Sequence, residues 1–294
     1  MAYLLTVSLI WAFSFGLIKG NLTGLDPNFV SLCRMALAFL VFLPFLRFKN
    51  LPRSLTLKLM LIGMVQYGLM YCSYIYSFQF LKAYQVALFT IFTPLYVTLI
   101  HDLFKRRLNR FFLLTVALAI AGTAVIVYRQ VSWTDFQAGF ALMQISNISF
   151  AFGQVYYRHL LKNHKNIKDV RIFALLFFGA ILFTGFFAGI TTQWASLYVT
   201  PRQMWTLLNL GILASGICFF LWNFGARKVD AGALAILNNL KIPLAVACSA
   251  IFFHETVNLP RLLVGGGIIV AALWLNERML KKWLQPDTLK DDGW

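Results

Sequence analysis

The chain is poor in acidic residues and in charge of either sign. Of its 294 residues, 10 are Asp or Glu against 26 Lys or Arg, and charged residues make up 12% of the sequence. Soluble domains carry about 25% charged residues. Hydrophobic residues account for 60% of the chain. This balance excludes an ordinary soluble domain and indicates a protein that lies largely within a membrane.

Several chemical motifs are also missing. The sequence has no glycine-rich nucleotide-binding loop, no paired acid and base residues, and no His/Cys cluster with metal-ligand spacing. We therefore predict no enzyme activity, no cofactor, no metal site and no ATP-driven transport within this chain. The cysteines show no CxxC spacing and are expected to pack as small apolar residues. They are Cys33, Cys72, Cys218 and Cys248.

Apolar runs of about twenty residues recur along the chain, which is the length that a helix needs to cross about 30 Å of hydrocarbon. They are too long for the strands of a membrane β-barrel and lack the alternating polarity of such strands. We predict an all-α membrane protein with ten transmembrane helices. These spans are 3–19, 27–46, 57–80, 83–103, 111–128, 138–159, 171–191, 204–225, 230–253 and 260–280.

The basic residues fall mainly in every second connection between these spans. The fourth connection, for example, holds Lys105, Arg106, Arg107 and Arg110, whereas the third holds only Lys82. Because short cytoplasmic loops collect Lys and Arg, this alternation predicts that both termini are cytoplasmic. It also accounts for the net charge of +16 without a nucleic-acid partner.

The two halves of the chain are weakly similar to each other. An offset of 149 residues aligns 80–100 with 229–249 and places Pro94 on Pro243. This pairs the fourth span with the ninth, and since five spans is an odd number, the second repeat is inverted in the membrane. We predict two inverted five-helix repeats around a central cavity, followed by a cytoplasmic tail. The boundaries are 1–129, 130–282 and 283–294.

The chain resembles the drug/metabolite transporter superfamily, specifically its ten-helix EamA type. The resemblance covers nearly the whole chain and rests on three segments: SLIWAFSFGLIKG, DPNFVSLCRMALAFL and NNLKIPLAVACSAIFFHETV. It implies transport of small metabolites through a cavity lined by the third, fourth, eighth and ninth spans, with parts of the first and sixth. In the first half, Arg106 stands where the family pattern has an acidic residue, so no role is carried over to that position.

Lys241 is the first candidate for contact with a cargo, because it lies near the middle of an apolar span. A charge at that depth costs several kcal/mol and usually faces a protein-lined cavity. The alternative is a lysine that is bonded to backbone carbonyls or neutral. Asn238, one turn earlier on the same face, is predicted to orient a carboxylate, and Pro243 to kink the helix beside the lysine.

Further candidates lie in the other spans. Tyr67, Tyr71 and Tyr74 share one helical face, which indicates either cavity lining or packing. Arg34 is a second buried cation, for which a structural role is the favoured interpretation. The predicted binding residues are Lys241, Asn238, Tyr71, Tyr74, Trp11, Asn223, Trp222, Tyr67, Thr90, Thr93 and Arg34, with Pro94 and Pro243 as kinks.

These residues predict a secondary transporter for small organic anions or zwitterions, with amino acids or related carboxylates as the first choice. Alternating access by facilitated diffusion or exchange in a bacterial inner membrane is expected. The oligomeric state is left open, with a monomer as one option. A sugar-phosphate or nucleotide transporter is the first alternative, and Lys241 and Arg34 on one cavity wall would favour it. A multidrug or polyamine exporter would need a buried acid. A membrane scaffold or lipid enzyme is the remaining class.

Overall fold

The computed structural model describes most of the chain. The residues that it describes are 2–48, 51–104, 114, 117–118, 121–122, 125, 133–162, 164, 166–226, 231–254 and 258–283. Within these residues every regular element is a helix, and no strand occurs. The predicted fifth span, 111–128, and the predicted tail, 283–294, lie largely outside the described residues.

The described α-helices follow the predicted spans closely. In the first half they are α1 (Ala2–Leu17), α2 (Pro27–Phe42), α3 (Arg53–Gly63), α4 (Met70–Ser77), α5 (Ala83–Phe89) and α6 (Thr93–Phe104). In the second half they are α7 (Trp133–Lys162), α8 (Phe173–Thr191), α9 (Pro201–Asn209), α10 (Cys218–Ala226), α11 (Ala231–Phe252) and α12 (Leu259–Trp283).

Several of these helices are continued or joined end to end by short segments with other hydrogen-bond patterns. The π-helical segments are Ile18–Leu22, Met64–Leu69 and Leu210–Ile217, and the 3₁₀ segments within spans are Leu43–Phe45 and Thr90–Phe92. Two further 3₁₀ turns lie in connections, at Asp169–Arg171 and Trp194–Ser196. The predicted third and eighth spans are therefore each an α–π–α composite.

The π segments of these two spans occupy related positions. When it is shifted by the 149-residue offset, Met64–Leu69 overlaps Leu210–Ile217. Uninterrupted π-helix is rare in proteins and is frequent at functional sites. Two structural repeats would produce this correspondence, although the repeat boundaries themselves stay predictions.

Among the described residues, five helical segments are long and apolar enough to cross a bilayer. They are Leu4–Leu22, Pro27–Phe45, Arg53–Ser77, Phe173–Thr191 and Pro201–Ala226, and shorter apolar helices run over Ala83–Val97 and Leu259–Ala272. Large apolar side chains such as Leu40, Phe186 and Ile190 are exposed on the outside of the bundle, as lipid contact requires. The all-helical fold is confirmed, whereas the count of ten spans and their orientation stay predictions.

Helix α8 lies close to the first half of the chain. It packs against α2 and α3. Gly63 on α3 and Gly179 on α8 make this approach possible, because a Cβ at either would overlap the backbone carbonyl of Leu176 or Met60 on the other helix. Close glycine contacts of this kind are a common means of joining helices within a membrane.

The start of α2 is fixed by a side-chain cap. Asp26 accepts a hydrogen bond from the Phe29 amide at 2.9 Å, and Pro27 occupies the first turn. The same carboxylate accepts from the Thr192 hydroxyl at 2.9 Å, just beyond the end of α8. The cap therefore holds α2 and α8 together at one end of the bundle.

Candidate functional site

A cavity with about 540 Å³ of empty space, its open side included, lies between helices from both halves of the chain. Side chains from α1, α2, α4, α6, α7, α10 and α11 and from the 3₁₀ turn before α6 line it. They are Trp11, Ser14, Phe15, Arg34, Met70, Tyr71, Tyr74, Thr90, Thr93, Ser146, Asn147, Phe150, Phe219 and Lys241. Two of these described lining residues are cations, and none is acidic.

Lys241 lies against the face of an aromatic ring. Its Nζ is 5.1 Å from the centroid of Trp11, and the lysine is only 5% exposed. Trp11 is held in place, since its Nε1 donates to the carbonyl of Ala214 at 2.9 Å and its ring contacts Phe219 and Trp222 at 5.3 and 5.1 Å. The electron-rich ring face attracts the ammonium group. The cation is therefore positioned at the cavity wall by a fixed indole.

Arg34 lies against a different ring. Its Cζ is 4.8 Å from the centroid of Tyr71, and the residue is 2% exposed. Its Nε donates to the hydroxyl of Ser215 at 3.1 Å, and one terminal nitrogen, Nη2, reaches the carbonyl of Leu210 at 3.5 Å. The other terminal nitrogen, Nη1, has no hydrogen-bond partner among the described residues. Arg34 thus combines the structural role expected from the sequence with a place in the cavity lining.

The π segment Leu210–Ile217 provides the acceptors for Arg34. The hydroxyl of Ser215 donates to the carbonyl of Leu210, five residues earlier, at 2.9 Å, which matches the π spacing. The Ser215 hydroxyl has one proton, so the Tyr71 hydroxyl, 2.9 Å away, donates to it. The oxygen of Ser215 therefore accepts from both Arg34 and Tyr71, and the π segment connects the two halves of the chain at the cavity.

Aromatic rings form much of the remaining wall. Tyr74 lies 6.0 Å from Tyr71 and 6.0 Å from Phe15, in edge-to-face contacts, and 5.1 Å from Phe78. Edge-to-face geometry is the favoured arrangement for such rings. The wall therefore offers flat apolar surface with polar groups at a few points, as small-molecule sites usually do.

The predicted fourth span is broken beside the cavity, just before Pro94. Because proline has no amide proton, the chain tightens here into the 3₁₀ turn Thr90–Phe92, and the Thr93 amide bonds to the Thr90 carbonyl. This releases the carbonyl of Phe89, which accepts a hydrogen bond from Asn147 Nδ2 at 2.8 Å. Asn147 in turn accepts from the Thr93 hydroxyl at 3.1 Å. The 3₁₀ turn before Pro94 is thus stabilised by α7, and the kink at Pro94 itself stays a prediction.

A second polar cluster lies next to the cavity and outside its lining. It consists of Gln66, Tyr67, Trp222 and Asn223, which we call the Asn223 layer. Asn223 donates to the Tyr67 hydroxyl at 2.9 Å and accepts from Gln66 Nε2 at 3.2 Å. The ring of Tyr67 stacks on Phe177 at 5.3 Å. Gln66, Tyr67 and Asn223 are bonded to one another, Trp222 packs on Trp11, and none of the four lines the cavity.

The structure brings most of the predicted binding residues together. Those that line the cavity are Trp11, Arg34, Tyr71, Tyr74, Thr90, Thr93 and Lys241. Tyr67, Trp222 and Asn223 lie in the adjacent layer, so their predicted contact with a cargo has no support from this geometry. The side chain of Asn238 lies outside the described residues. The helix α11 runs without interruption past Asn238 and Pro243, and the kink at Pro243 stays a prediction.

Sequence reasoning missed about half of the lining. The missed residues are Ser14, Phe15, Met70, Ser146, Asn147, Phe150 and Phe219. For two of them a signal was present, because Ser14 and Phe15 follow Trp11 at i+3 and i+4 and so share its helical face. Asn147 combines its place in the lining with hydrogen bonds to the Thr93 hydroxyl and the Phe89 carbonyl.

Known proteins resemble this chain along nearly its whole length. A sequence model of the EamA-like transporter family matches residues 1–128 and 137–277. A protein of Salmonella typhimurium named biotin transporter is 37% identical over 288 residues, which are 97% of this chain and 94% of the relative. The probable biotin transporter of Pseudomonas aeruginosa is 38% identical over 285 residues, 94% of this chain and 97% of the relative.

One further relative and one solved structure extend the comparison. The biotin transporter of Escherichia coli K12 is 36% identical over 288 residues, 97% of this chain and 94% of the relative. A solved crystal structure with 14% identity superposes with a TM-score of 0.68 and covers 95% of this chain and 96% of its own. At that identity the superposition shows a shared fold and nothing more.

These relatives are transporters and not enzymes, and their names give biotin rather than an amino acid as cargo. The expectation of amino acids therefore finds no support, whereas the broader expectation of a small-molecule transporter is confirmed. The protein is an integral membrane protein, as predicted. The match along both halves of the sequence identifies it as a member of the EamA-like transporter family.

Proposed function

We propose that this protein is a secondary transporter that carries biotin, or a monocarboxylate of closely similar shape, across the bacterial inner membrane. The names of relatives at 36 to 38% identity motivate the choice of cargo. Ten helices in two inverted repeats, with both termini cytoplasmic, form the proposed scaffold. The alternation of basic connections and the 149-residue offset support that arrangement. Rocking of one repeat against the other provides alternating access.

One observation carries the choice of an anionic cargo. Two cations, Arg34 and Lys241, line one aromatic-walled cavity, and none of its described lining residues is acidic. Biotin combines a carboxylate on an alkyl chain with a compact bicyclic ring. In the proposed complex Lys241 binds the carboxylate, and the rings of Trp11, Tyr71 and Tyr74 contact the bicyclic ring and the chain. Asn238 remains the proposed orienting amide one turn before the lysine.

The same lining bears on energy coupling. Proton-coupled transport usually requires a titratable carboxylate or histidine in the pathway. The described lining residues include neither. We therefore propose facilitated diffusion or exchange. Equal uptake with and without an imposed proton gradient is the expected result, and uptake that acidifies the vesicle lumen in proportion to the cargo would contradict it.

A transporter of sugar phosphates or nucleotides is the second candidate. It is favoured by the presence of both cations in one cavity lining, since a phosphate dianion would draw on both charges. Against it, two nitrogens of Arg34 are already bonded within the protein, to Ser215 and Leu210. A multidrug or polyamine exporter is less favoured, because the described lining offers no carboxylate to a cationic cargo.

Uptake into proteoliposomes tests the proposal. Purified protein should take up radiolabelled biotin, and unlabelled biotin should compete while amino acids, dicarboxylates and sugar phosphates should not. Lys241→Ala should lower uptake by at least about tenfold, because it removes the proposed counter-ion of a buried carboxylate. Lys58→Ala is the matched control, since it removes an exposed lysine on α3 that is not part of the lining. Competition by sugar phosphates alone would replace this proposal with the second candidate.

A further inference from the structure

We propose that Arg34 binds the uncharged ureido oxygen of the cargo, while Lys241 binds its carboxylate. This inference rests on the proposed function, and it assigns the two cations of the cavity to two different groups of one molecule. It makes Arg34 the residue that recognises the bicyclic head. The two side chains are then not interchangeable anion sites, because each binds a different group of the cargo.

The argument starts from the hydrogen bonds that Arg34 already makes. The edge of a guanidinium group that carries Nε and one terminal nitrogen is well suited to grip a carboxylate through two parallel bonds. In Arg34 these positions are taken, because Nε donates to Ser215 and Nη2 reaches the carbonyl of Leu210. A cargo carboxylate therefore meets an edge that is already occupied by protein oxygens.

One nitrogen is left for a ligand. Nη1 of Arg34 is buried and has no hydrogen-bond partner among the described residues, although Arg34 itself lines the cavity. A buried donor without an acceptor is costly, and more so when it is charged. A ligand that brings a single strong acceptor removes that cost. A carbonyl oxygen fits this requirement, and the ureido oxygen of biotin is such an acceptor.

The surroundings of Arg34 suit a flat, neutral head group. Its guanidinium lies over the ring of Tyr71, and Tyr74 is 6.0 Å from that ring, so two aromatic surfaces meet beside it. The Tyr71 hydroxyl proton is directed to Ser215, which leaves an oxygen lone pair to accept a hydrogen bond. The ureido group of biotin has N–H donors on either side of its oxygen. The protein therefore offers the ureido group both a donor, Nη1 of Arg34, and an acceptor, the hydroxyl oxygen of Tyr71.

Lys241 suits the other end of the molecule. It lies against Trp11 rather than Tyr71, on α11 rather than α2, so the two cations are presented by different rings and different helices. A lysine ammonium is a compact point charge with donors that rotate, which fits a carboxylate on a flexible chain. The two assignments are thus consistent with one extended cargo that spans both.

Three analogues separate the two assignments. Biotinol replaces the carboxylate by an alcohol, 2-thiobiotin replaces the ureido oxygen by a weaker acceptor, and 2-iminobiotin replaces the urea by a cationic guanidine. In the wild-type protein we expect inhibition of biotin uptake to weaken from biotin to 2-thiobiotin to 2-iminobiotin. The last step brings a cation onto Arg34 and should cost about ten- to a hundredfold in inhibition constant. Equal inhibition by biotin, 2-thiobiotin and 2-iminobiotin would overturn the inference without any variant.

Variants give the second arm of the test. In Arg34→Gln the preference for biotin over 2-iminobiotin should fall by about tenfold or more, while the preference for biotin over biotinol stays within about twofold. In Lys241→Gln the preference for biotin over biotinol should fall by about tenfold or more, while the preference for biotin over 2-iminobiotin stays within about twofold. Arg34→Lys, which keeps the charge, should retain most of the discrimination against 2-iminobiotin. Size-exclusion chromatography and thermal unfolding in detergent identify variants that do not fold. If a variant does not fold, the inhibition series in the wild-type protein still tests the inference.

The failures of the two proposals are distinguishable. If the wild-type protein does not transport biotin, the proposed function fails and this inference fails with it. If it transports biotin but Arg34→Gln loses its preference for biotin over biotinol instead, the proposed function stands and Arg34 is the carboxylate site. That result would reverse the two assignments and contradict the inference.

Discussion

The cavity and the Asn223 layer are neighbouring regions that differ in how their polar groups are paired. Both are buried, both combine polar with aromatic side chains, and both join the two halves of the chain. In the Asn223 layer the amide of Asn223 uses both of its ends, on Tyr67 and Gln66. In the cavity Arg34 keeps a terminal nitrogen without a described partner. The central amide of the first region is bonded at both ends, whereas the guanidinium of the second is not bonded at every nitrogen.

The charge of the unpartnered atoms sharpens this difference. The Asn223 layer also contains buried atoms without a partner among the described residues, Gln66 Oε1 and Trp222 Nε1, and both belong to neutral groups. In the cavity the atom without a described partner, Nη1 of Arg34, belongs to a cation. An unpaired charge is far more costly to bury than an unpaired neutral group. Pairing and charge together, rather than burial or aromatic content, therefore distinguish the proposed binding region from the packed one.

The largest expected effect comes from breaking the packed region. Asn223→Leu removes the hydrogen-bond partner of the Tyr67 hydroxyl and of the Gln66 amide. It should lower the free energy of unfolding by about 2 kcal/mol. Thermal unfolding in detergent measures the loss. Biotin affinity of the folded fraction should change by less than about twofold, because Asn223 does not line the cavity. A selective loss of affinity with normal stability would move Asn223 into the binding region and end the contrast.

A smaller effect is expected from Tyr71→Phe, which keeps the ring under Arg34 and removes the hydroxyl bonded to Ser215. Affinity for biotin should fall by about 1 kcal/mol, or about fivefold, because Arg34 loses part of its support. Equilibrium binding of labelled biotin measures it. Tyr74→Phe is the matched control on the same helix face and should change affinity less. If the two substitutions had equal effects, the network around Arg34 would not explain binding.

The smallest effect is expected from Thr93→Val at the break in the fourth span. This substitution removes one hydroxyl bond to Asn147 and leaves the bond from Asn147 to the Phe89 carbonyl. Hydrogen bonds between membrane helices contribute about 0.6 kcal/mol on average, so stability should fall by about that amount. A denaturation midpoint measures the change. A loss several times larger would mean that Thr93, rather than Asn147, holds the broken helix.

Much of the fold could be predicted from the sequence, because long apolar runs have few alternatives in a bilayer. The site was harder to predict for a specific reason. Tyr67, Tyr71 and Tyr74 share one face at 3.6 residues per turn, yet Tyr67 lies within the π segment Met64–Leu69, where that period does not hold. Tyr67 accordingly packs in the Asn223 layer, while Tyr71 and Tyr74 line the cavity.

The same reason applies to the eighth span. Asn223 was predicted to contact the cargo, together with its neighbour Trp222. The π segment Leu210–Ile217 changes the helical phase before Asn223, which meets Gln66 and Tyr67 instead. No periodic pattern in the sequence marks a π segment. Lys241 and Arg34, by contrast, were predictable as site candidates, because a cation within an apolar span has few places to lie.

The affinity ratio of biotin to biotinol, in the wild-type protein and in Lys241→Gln, tests the central claim most directly. The two ligands differ only in the charged carboxyl group, so the ratio isolates the anion site from all other contacts. We expect the wild-type protein to prefer biotin by at least about tenfold and the variant to lose most of that preference. A ratio that is unchanged in Lys241→Gln would show that the lysine does not hold the carboxylate, and would contradict this account.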